Sequence, residues 1–467
     1  MGQKYSLPVG SWLSGHITVM QPDKLAFMER CEREFPLGRF RMYHRPLFVV
    51  SDPELIGEVL VQRNDDFIKT WVLRTAARPL FGDGLVTSSG DTWKRSAARM
   101  RPRFQPRQVD AYVPAIHRHT EQLLDSWNAG DTRDIPLDMS HLTLRIACDV
   151  LFGVGELEIR DALLHGCDTS QAFFSAWERS YFPIPVLVPT RANVRYRSAI
   201  RALNRTIYEL IERRRRTAGA SEGNIVAQLL EHREPNGTPM PDRAIRDELV
   251  TLFLATYETT AAMLAWTLYL ICTHPPVEAR VKAELAAVLG GALPGRDAAR
   301  RLPYLYDVLR ESLRLYPSIP ILGRAAARDT RIGDTKVPKT SEVLVSPWAI
   351  QRSSRYYPDP LAFRPERWTP EFDRNLPRYA YIPFSGGPRV CMGQHMAVQE
   401  SMQILATLLQ FAELQPVEGK TPVLDTGMTA VPRRGTLQLK VRALSRPRAP
   451  LGSDFVPRAG VSQETAV

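Results

Sequence analysis

Apolar positions along this chain recur mostly every three to four residues, the spacing that turns one face of an α-helix toward a core. PDKLAFMERCEREF, residues 22–35, is the first such stretch, and RSAIRALNRTIYELI, residues 197–211, is strongly amphipathic. Alternation with a period of two is rarer. RFRMYH and PLFVVS, residues 39–44 and 46–51, read as short strands around a turn at Arg45 and Pro46, and PELIGEVLVQR, residues 53–63, as the helix that follows. Strand character returns in KVPKTSEVLVSPWAI, residues 336–350, and near GTLQLKV, residues 435–441. The pattern predicts a mainly α fold with a minor β-sheet.

One segment has no polar face. ELVTLFLATYETTAAMLAWTLYLIC, residues 248–272, would extend roughly 36 Å as a helix, long enough to cross a bilayer. Glu258 near its middle, several threonines, and a lead-in, PDRAIRDE, that opens a helix with proline and acids favour a helix through the centre of a large core. No integral membrane span is expected.

Composition supports one compact unit. The chain has 467 residues, 44% hydrophobic, and between residues 20 and 440 there is no Gly/Ser linker, low-complexity tract or internal repeat. Residues 1–20 read as a proline-containing lead-in, 21–443 as a single domain, and 444–467, mixing Pro, Gly, Ser and Arg without periodicity, as a disordered tail. Five scattered cysteines, an odd number, do not form a secreted disulfide framework, and the N-terminus lacks a signal peptide, so the reducing cytoplasm is the expected location. The net charge of +11 permits an acidic partner. No finger spacing or aromatic–basic repeat points to nucleic acid, and the densest basic run, ERRRR at 212–216, reads as a solvated helix end whose cations suit the helix dipole.

The chemistry concentrates in FSGGPRVCMG, residues 384–393. Gly386, Gly387 and Gly393 would be a costly frame for a merely buried thiol, but they let backbone approach a bulky ligand and aim N–H groups at the sulfur of Cys391. The helix that follows, with Val398, Met402, Leu405 and Leu409 on one stripe, would direct its positive end at the same atom. These features favour a metal-bound thiolate. Zinc would need more ligands than Cys391 and His395, and an iron–sulfur cluster more cysteines nearby. A porphyrin fills the remaining positions around a lone thiolate, with Arg389 then pairing with a propionate and Phe384 covering the sulfur's side.

This stretch resembles the haem-binding loop of the cytochrome P450 superfamily, in which Phe, Gly, Arg, Cys and Gly stand at the spacing of Phe384, Gly387, Arg389, Cys391 and Gly393. The segment LPYLYDVLRESLRLYPSIP resembles the family's Glu-x-x-Arg helix through Glu311 and Arg314, and FRPERW supplies Arg367 as the third member of an architectural triad. ATYETT resembles the oxygen-binding segment, with Ala255, Glu258 and Thr259 matching the small residue, the acid and the alcohol that relay protons. Trp93 and Arg324 match propionate-binding positions.

Three positions depart from the family pattern. Thr256 stands where Gly is usual, which implies an oxygen groove that is narrower or differently hydrogen-bonded. Ala97 stands where Arg is usual, leaving Arg95, Arg99 or Arg324 to replace the contact. QRSS, residues 351–354, replaces the usual His-Arg-Asp-Pro.

The resemblance covers nearly the whole chain, from LPVGSWLSGH, which looks like the family's proline-rich lead-in without its membrane anchor, to about residue 443. It implies the soluble bacterial type of the fold and a haem-thiolate monooxygenase with haem b. Electrons would come ultimately from NAD(P)H through a separate acidic ferredoxin or flavodoxin with its reductase, and one atom of O2 would enter a lipophilic small molecule, possible products including those of secondary metabolism. WVLRTAARPLFGDGLV, AFFSAWERSYFPIPVLVP and the segments near Ile319 and Met428 are the expected pocket walls. A same-family isomerase, dehydratase or peroxygenase, and a non-catalytic helical binder of apolar ligands, are the alternatives.

Overall fold

The computed structural model describes residues 11, 14–153, 184–216, 224–234 and 236–445, together with 166, 169–170, 172–174, 176–177 and 180. The tail beyond residue 445, most of the lead-in and Cys167 lie outside the described residues.

Helices dominate, as the periodicity predicts. The principal ones are α1 (Lys24–Glu34), α2 (Gly90–Met100), α3 (Val113–Asp125), α4 (Ile135–Phe152), α5 (Arg191–Arg216), α6 (Asp242–Thr273), α7 (Pro303–Leu315) and α8 (Gln394–Phe411). The apolar α6 begins directly after Pro241 and runs through the core, packed against α4, α5, α7 and α8. By length and composition it could cross a membrane, but most of its apolar stretch is buried inside the protein. The charged residues of its second turn are buried in partnership: Arg246 donates to Asp247 at 2.8 Å and to the Leu80 carbonyl at 2.7 Å.

The strands are short: β1 (Leu37–Met42), β2 (Arg45–Val50), β3 (Phe67–Ile68), β4 (Thr132–Asp134), β5 (Leu322–Ala326), β6 (Thr330–Ile332), β7 (Thr335–Val337), β8 (Glu342–Val345), β9 (Ala412–Pro416), β10 (Leu424–Thr426), β11 (Ala430–Pro432) and β12 (Gln438–Leu444). The largest sheet has the order β1-β2-β8-β5-β3, and β4-β12-β9 form a second.

Three sequence expectations are corrected here. The first hairpin turns at Tyr43 and His44, with Tyr43 at φ 54°, so Arg45 and Pro46 already belong to β2. Pro46 is tolerated because the pairing of β2 with β8 begins one residue later, at Leu47, and needs no N–H from the proline. PWAI, expected as strand, is a short helix, Pro347–Ile350, started by the Ser346 side chain accepting from Ala349 N–H and by proline in the first turn.

The basic run ending α5 is more than a solvated helix end. Arg214 donates to the carbonyls of Phe152 and Gly153 at 2.8 and 2.7 Å, closing the C-terminus of α4, and Arg215 pairs with Asp242 at the start of α6.

Candidate active site

The loop before α8 is held from behind by a buried ionic knot. Glu311 on α7 accepts from Arg314 Nε and Nη2, both at 2.9 Å, and from Arg367 Nε at 2.8 Å. The side chains are 0%, 0% and 5% exposed, which excludes a surface pair of little energetic weight. The remaining N–H groups of the two arginines reach backbone carbonyls of Gln351, Pro358, Asp359, Pro360 and Ala362, so the extra positive charge is dispersed over carbonyl dipoles and the segment 351–367 is fastened to α7. Gln351, a departure from the family pattern, completes the tie. Its amide donates to the carbonyls of Leu313 and Arg314 and accepts from Ile382 N–H at 2.9 Å, two residues before the loop. An amide offers both a donor and an acceptor, so it links both sides.

Within the loop, Cys391 N–H donates to the Phe384 carbonyl at 2.9 Å, and the half-buried Phe384 packs on the main core. The Cys391 sulfur takes the Gly393 N–H, yet burial pushes its thiol up by more than that bond lowers it. The N–H group therefore does not make a thiolate by itself, which agrees with the expectation of a metal-bound sulfur: a bound cation supplies the rest. Gly387 is also reinterpreted. It sits at φ +69° and a Cβ there would lie 2.0 Å from the Leu60 carbonyl, so protein backbone and not a ligand demands this glycine. Gly393 is the converse case, because a Cβ there would meet nothing within 4 Å. Cys391 as a residue is exposed, while the protein packed around its sulfur is dense enough to desolvate the thiol.

Three cations gather beside the loop. Arg389 is half-buried, its Nε and Nη1 have no partner, and its guanidinium lies 5.1 Å from the ring of Trp93. Arg324 on β5 is 7% exposed; burial first and Arg389 second push it down to about 10. Burial, then Arg324 and Arg389, push the Lys69 ammonium well below its usual range. Among the described residues no carboxylate forms an ion pair with any of the three. Such an array is unfavourable until an anion joins it.

Lys69 was not legible in the sequence. It follows β3, whose Phe67 and Ile68 pair with Ala326 and Ala325, and only that pairing brings it beside Arg324. The candidates for the contact missing at Ala97 separate clearly. Arg99 is ion-paired with Glu234 at 2.6 Å and Arg95 is an exposed side chain near Thr92, so neither joins the cluster, whereas Arg324 does.

On α6, otherwise largely buried, Ala255 is exposed, and Leu254, Thr256, Glu258 and Thr259 are partly so. The Thr259 hydroxyl donates to the Ala255 carbonyl at 2.8 Å and Thr256 to Leu252 at 2.7 Å, while the helix continues without a break. Both threonines thus satisfy their hydroxyls within α6 itself. Glu258 accepts from the Thr429 hydroxyl.

The donor set tests what the site can hold. Among the described residues, a single exposed cysteine, room for a Cβ beside Gly393, two orphaned guanidinium nitrogens on Arg389 and a cation cluster without an ion-paired carboxylate fit a flat iron macrocycle bearing two carboxylates. The fold and site together define a haem-thiolate protein. The chain belongs to the cytochrome P450 family, whose family profile, "Cytochrome P450", matches residues 6–440.

It is 32% identical to cyclooctat-9-en-7-ol 5-monooxygenase of Streptomyces melanosporofaciens, over 88% of this chain and 89% of that protein. It is 30% identical to pentalenene oxygenase of Streptomyces avermitilis, over 92% and 95% of the two chains. Among solved structures, the cytochrome P450DA heme domain superimposes with a TM-score of 0.82 at 27% identity, covering 93% of this chain and 96% of that one. The protein is a cytochrome P450 monooxygenase of bacterial type that uses haem, O2, a substrate and electrons from a redox partner.

Proposed function

We propose that the enzyme inserts one oxygen atom into an apolar terpene-class hydrocarbon or its alcohol by C–H hydroxylation or epoxidation. The apolar, aromatic character of the segments expected to wall the pocket supports this reading: Trp71 packs on Trp177 with ring centroids 5.4 Å apart, Phe173 stacks on Tyr196 at 4.0 Å, and Leu254 and Met428 are half-buried against the same core. The names of the two bacterial relatives, a pentalenene oxygenase and a cyclooctatenol monooxygenase, support the same substrate class.

Cys391 would ligate the iron of haem b, and Lys69, Arg324, Arg389 and Trp93 would hold its propionates. Bound there, the haem supplies dioxygen activation and oxygen-atom transfer. The chain's own residues supply the rest. The aromatic walls orient the substrate and exclude water, Ala255 leaves room on α6, Thr259 can turn its hydroxyl from the Ala255 carbonyl to a proton donor, and Glu258 carries protons inward.

Titrating the holoenzyme with a panel of terpene hydrocarbons, polyketides and fatty acids tests the substrate class. Terpenes are expected to shift the haem absorbance at about micromolar concentration; a response to fatty acids alone would remove the proposal.

Electrons are proposed to travel from NAD(P)H through an acidic ferredoxin or flavodoxin in the cytoplasm, a reading supported by the net charge of +11 and by the buried, unbridged Cys31 and Cys272. Turnover with such a donor should then fall about tenfold between low salt and 0.5 M salt. Turnover indifferent to salt would count against an acidic donor.

A further inference from the structure

The carboxylate of Glu258 leaves its own helix to meet a part of the chain 171 residues away, the hydroxyl of Thr429, which is 6% exposed. Thr429 lies in the short connection between β10 and β11, and that connection is docked on α6 and its neighbours. Ala430 N–H donates to the Ser318 carbonyl at 2.9 Å, the Ser318 hydroxyl donates to the Thr259 carbonyl at 2.8 Å, and the Trp266 indole donates to the Ala430 carbonyl at 3.1 Å. The docking point is therefore rigid with respect to both Glu258 and Thr259. Glu258 also borders a cavity of about 50 Å³ lined by Ser140, Tyr257 and Arg434, which reaches the surface at the exposed Arg434.

The choice of partner matters chemically. A guanidinium or a backbone N–H can only donate, so it favours the carboxylate, and although it can still donate to the carbonyl oxygen of the acid it offers nothing to accept the acid's O–H. A hydroxyl donates to the carboxylate and can accept from the carboxylic acid. It can therefore hold the group in place in both protonation states, as a proton carrier requires. Without it, the carboxylate of a flexible side chain that borders the cavity is free to move into it.

We propose that Thr429 is a positioning residue for proton supply: its hydroxyl keeps the Glu258 carboxyl between the water-accessible cavity and Thr259 through a full cycle of proton uptake from cavity water and release inward. The cycle returns Glu258 to its starting state and involves no change of oxidation state on either residue. This rests on the reading of Glu258 as proton carrier.

The test uses the haem-loaded enzyme with substrate and redox partner, and three variants. Thr429→Val keeps the volume and removes the hydroxyl, Thr429→Ser keeps the hydroxyl, and Glu258→Gln is the reference. Thr429→Val should lose about tenfold in product formed per electron pair, with a larger solvent deuterium isotope effect and a substrate dissociation constant within about twofold of wild type. Thr429→Ser should restore coupling, and a crystal structure of Thr429→Val should show the Glu258 carboxyl moved from its wild-type position. Unchanged coupling in Thr429→Val, equal damage in Thr429→Ser, or an unmoved Glu258 would each overturn the proposal. Full coupling in Glu258→Gln would instead remove the carrier role itself, whereas an impaired Glu258→Gln beside an unimpaired Thr429→Val removes the inference alone.

Discussion

Replacing Cys391 by Ser is expected to give a folded protein that has lost the strongly red-shifted absorption band of its reduced carbon monoxide complex, and with it turnover by on the order of a thousandfold or more. The two halves of that result have different physical origins. Folding should survive because the residue is exposed, and because the contact that shapes the loop is the 2.9 Å bond from the residue 391 N–H to the Phe384 carbonyl, which serine keeps. The spectrum should not survive, because the band requires a sulfur anion on iron. Burial already pushes the Cys391 thiol up, and a serine hydroxyl gives up its proton far less readily, so the metal would have to overcome a much larger cost. Spectra of the reduced protein with and without carbon monoxide decide the matter. The same band in the serine protein would show that another residue ligates the iron, and the assignment of the site would fall.

The second large effect concerns stability. Glu311→Gln leaves the guanidiniums of Arg314 and Arg367 facing each other in a region where the three side chains are 5% exposed or less, with no negative charge between them. Removing one partner from a buried ionic set costs about 3–5 kcal/mol, a large fraction of the 5–15 kcal/mol by which domains are usually stable. The Gln351 tie to α7 and Ile382 shares this framework, so the loss should reach the loop around Cys391 and lower haem occupancy as well. Arg30 and Glu34 provide the control: they also sit one turn apart on a helix, at 2.8 Å, but are 41% and 39% exposed. Glu34→Gln should change stability by less than about 0.5 kcal/mol. Denaturant titrations of both variants make the comparison, and a Glu311→Gln midpoint equal to that of Glu34→Gln would refute the account of the triad.

Much of this was available before any coordinates. Apolar spacing placed the helices, and the run without a polar face marked α6 as the helix through the core. Cys391 and its glycines stood out because a functional loop and the helix start behind it are contiguous in the chain. Glu311 and Arg314 were recognisable as a pair because three residues make less than one helical turn. In each case the relevant neighbours are close in sequence, so local spacing carries the information.

Other features are set by contacts between segments far apart. Lys69 joins Arg324 and Arg389 only because β3 pairs with β5, and nothing in the residues around Lys69 announces that pairing. Gly387 is required by a carbonyl at Leu60, more than three hundred residues earlier, and the reading of it as room for a ligand could not be corrected from the loop alone. Arg214 read as a solvated helix end until α4 came to rest against it. Glu258 and Thr429 likewise meet only across the docked β10–β11 connection. The sequence by itself determined the main helices, the distinctive loop around Cys391 and the class of enzyme, because these rest on periodicity and on short motifs. Only the tertiary structure decided which charges remain without partners and which carboxylate meets which hydroxyl, because those outcomes depend on desolvation and distance between groups that the chain order keeps apart.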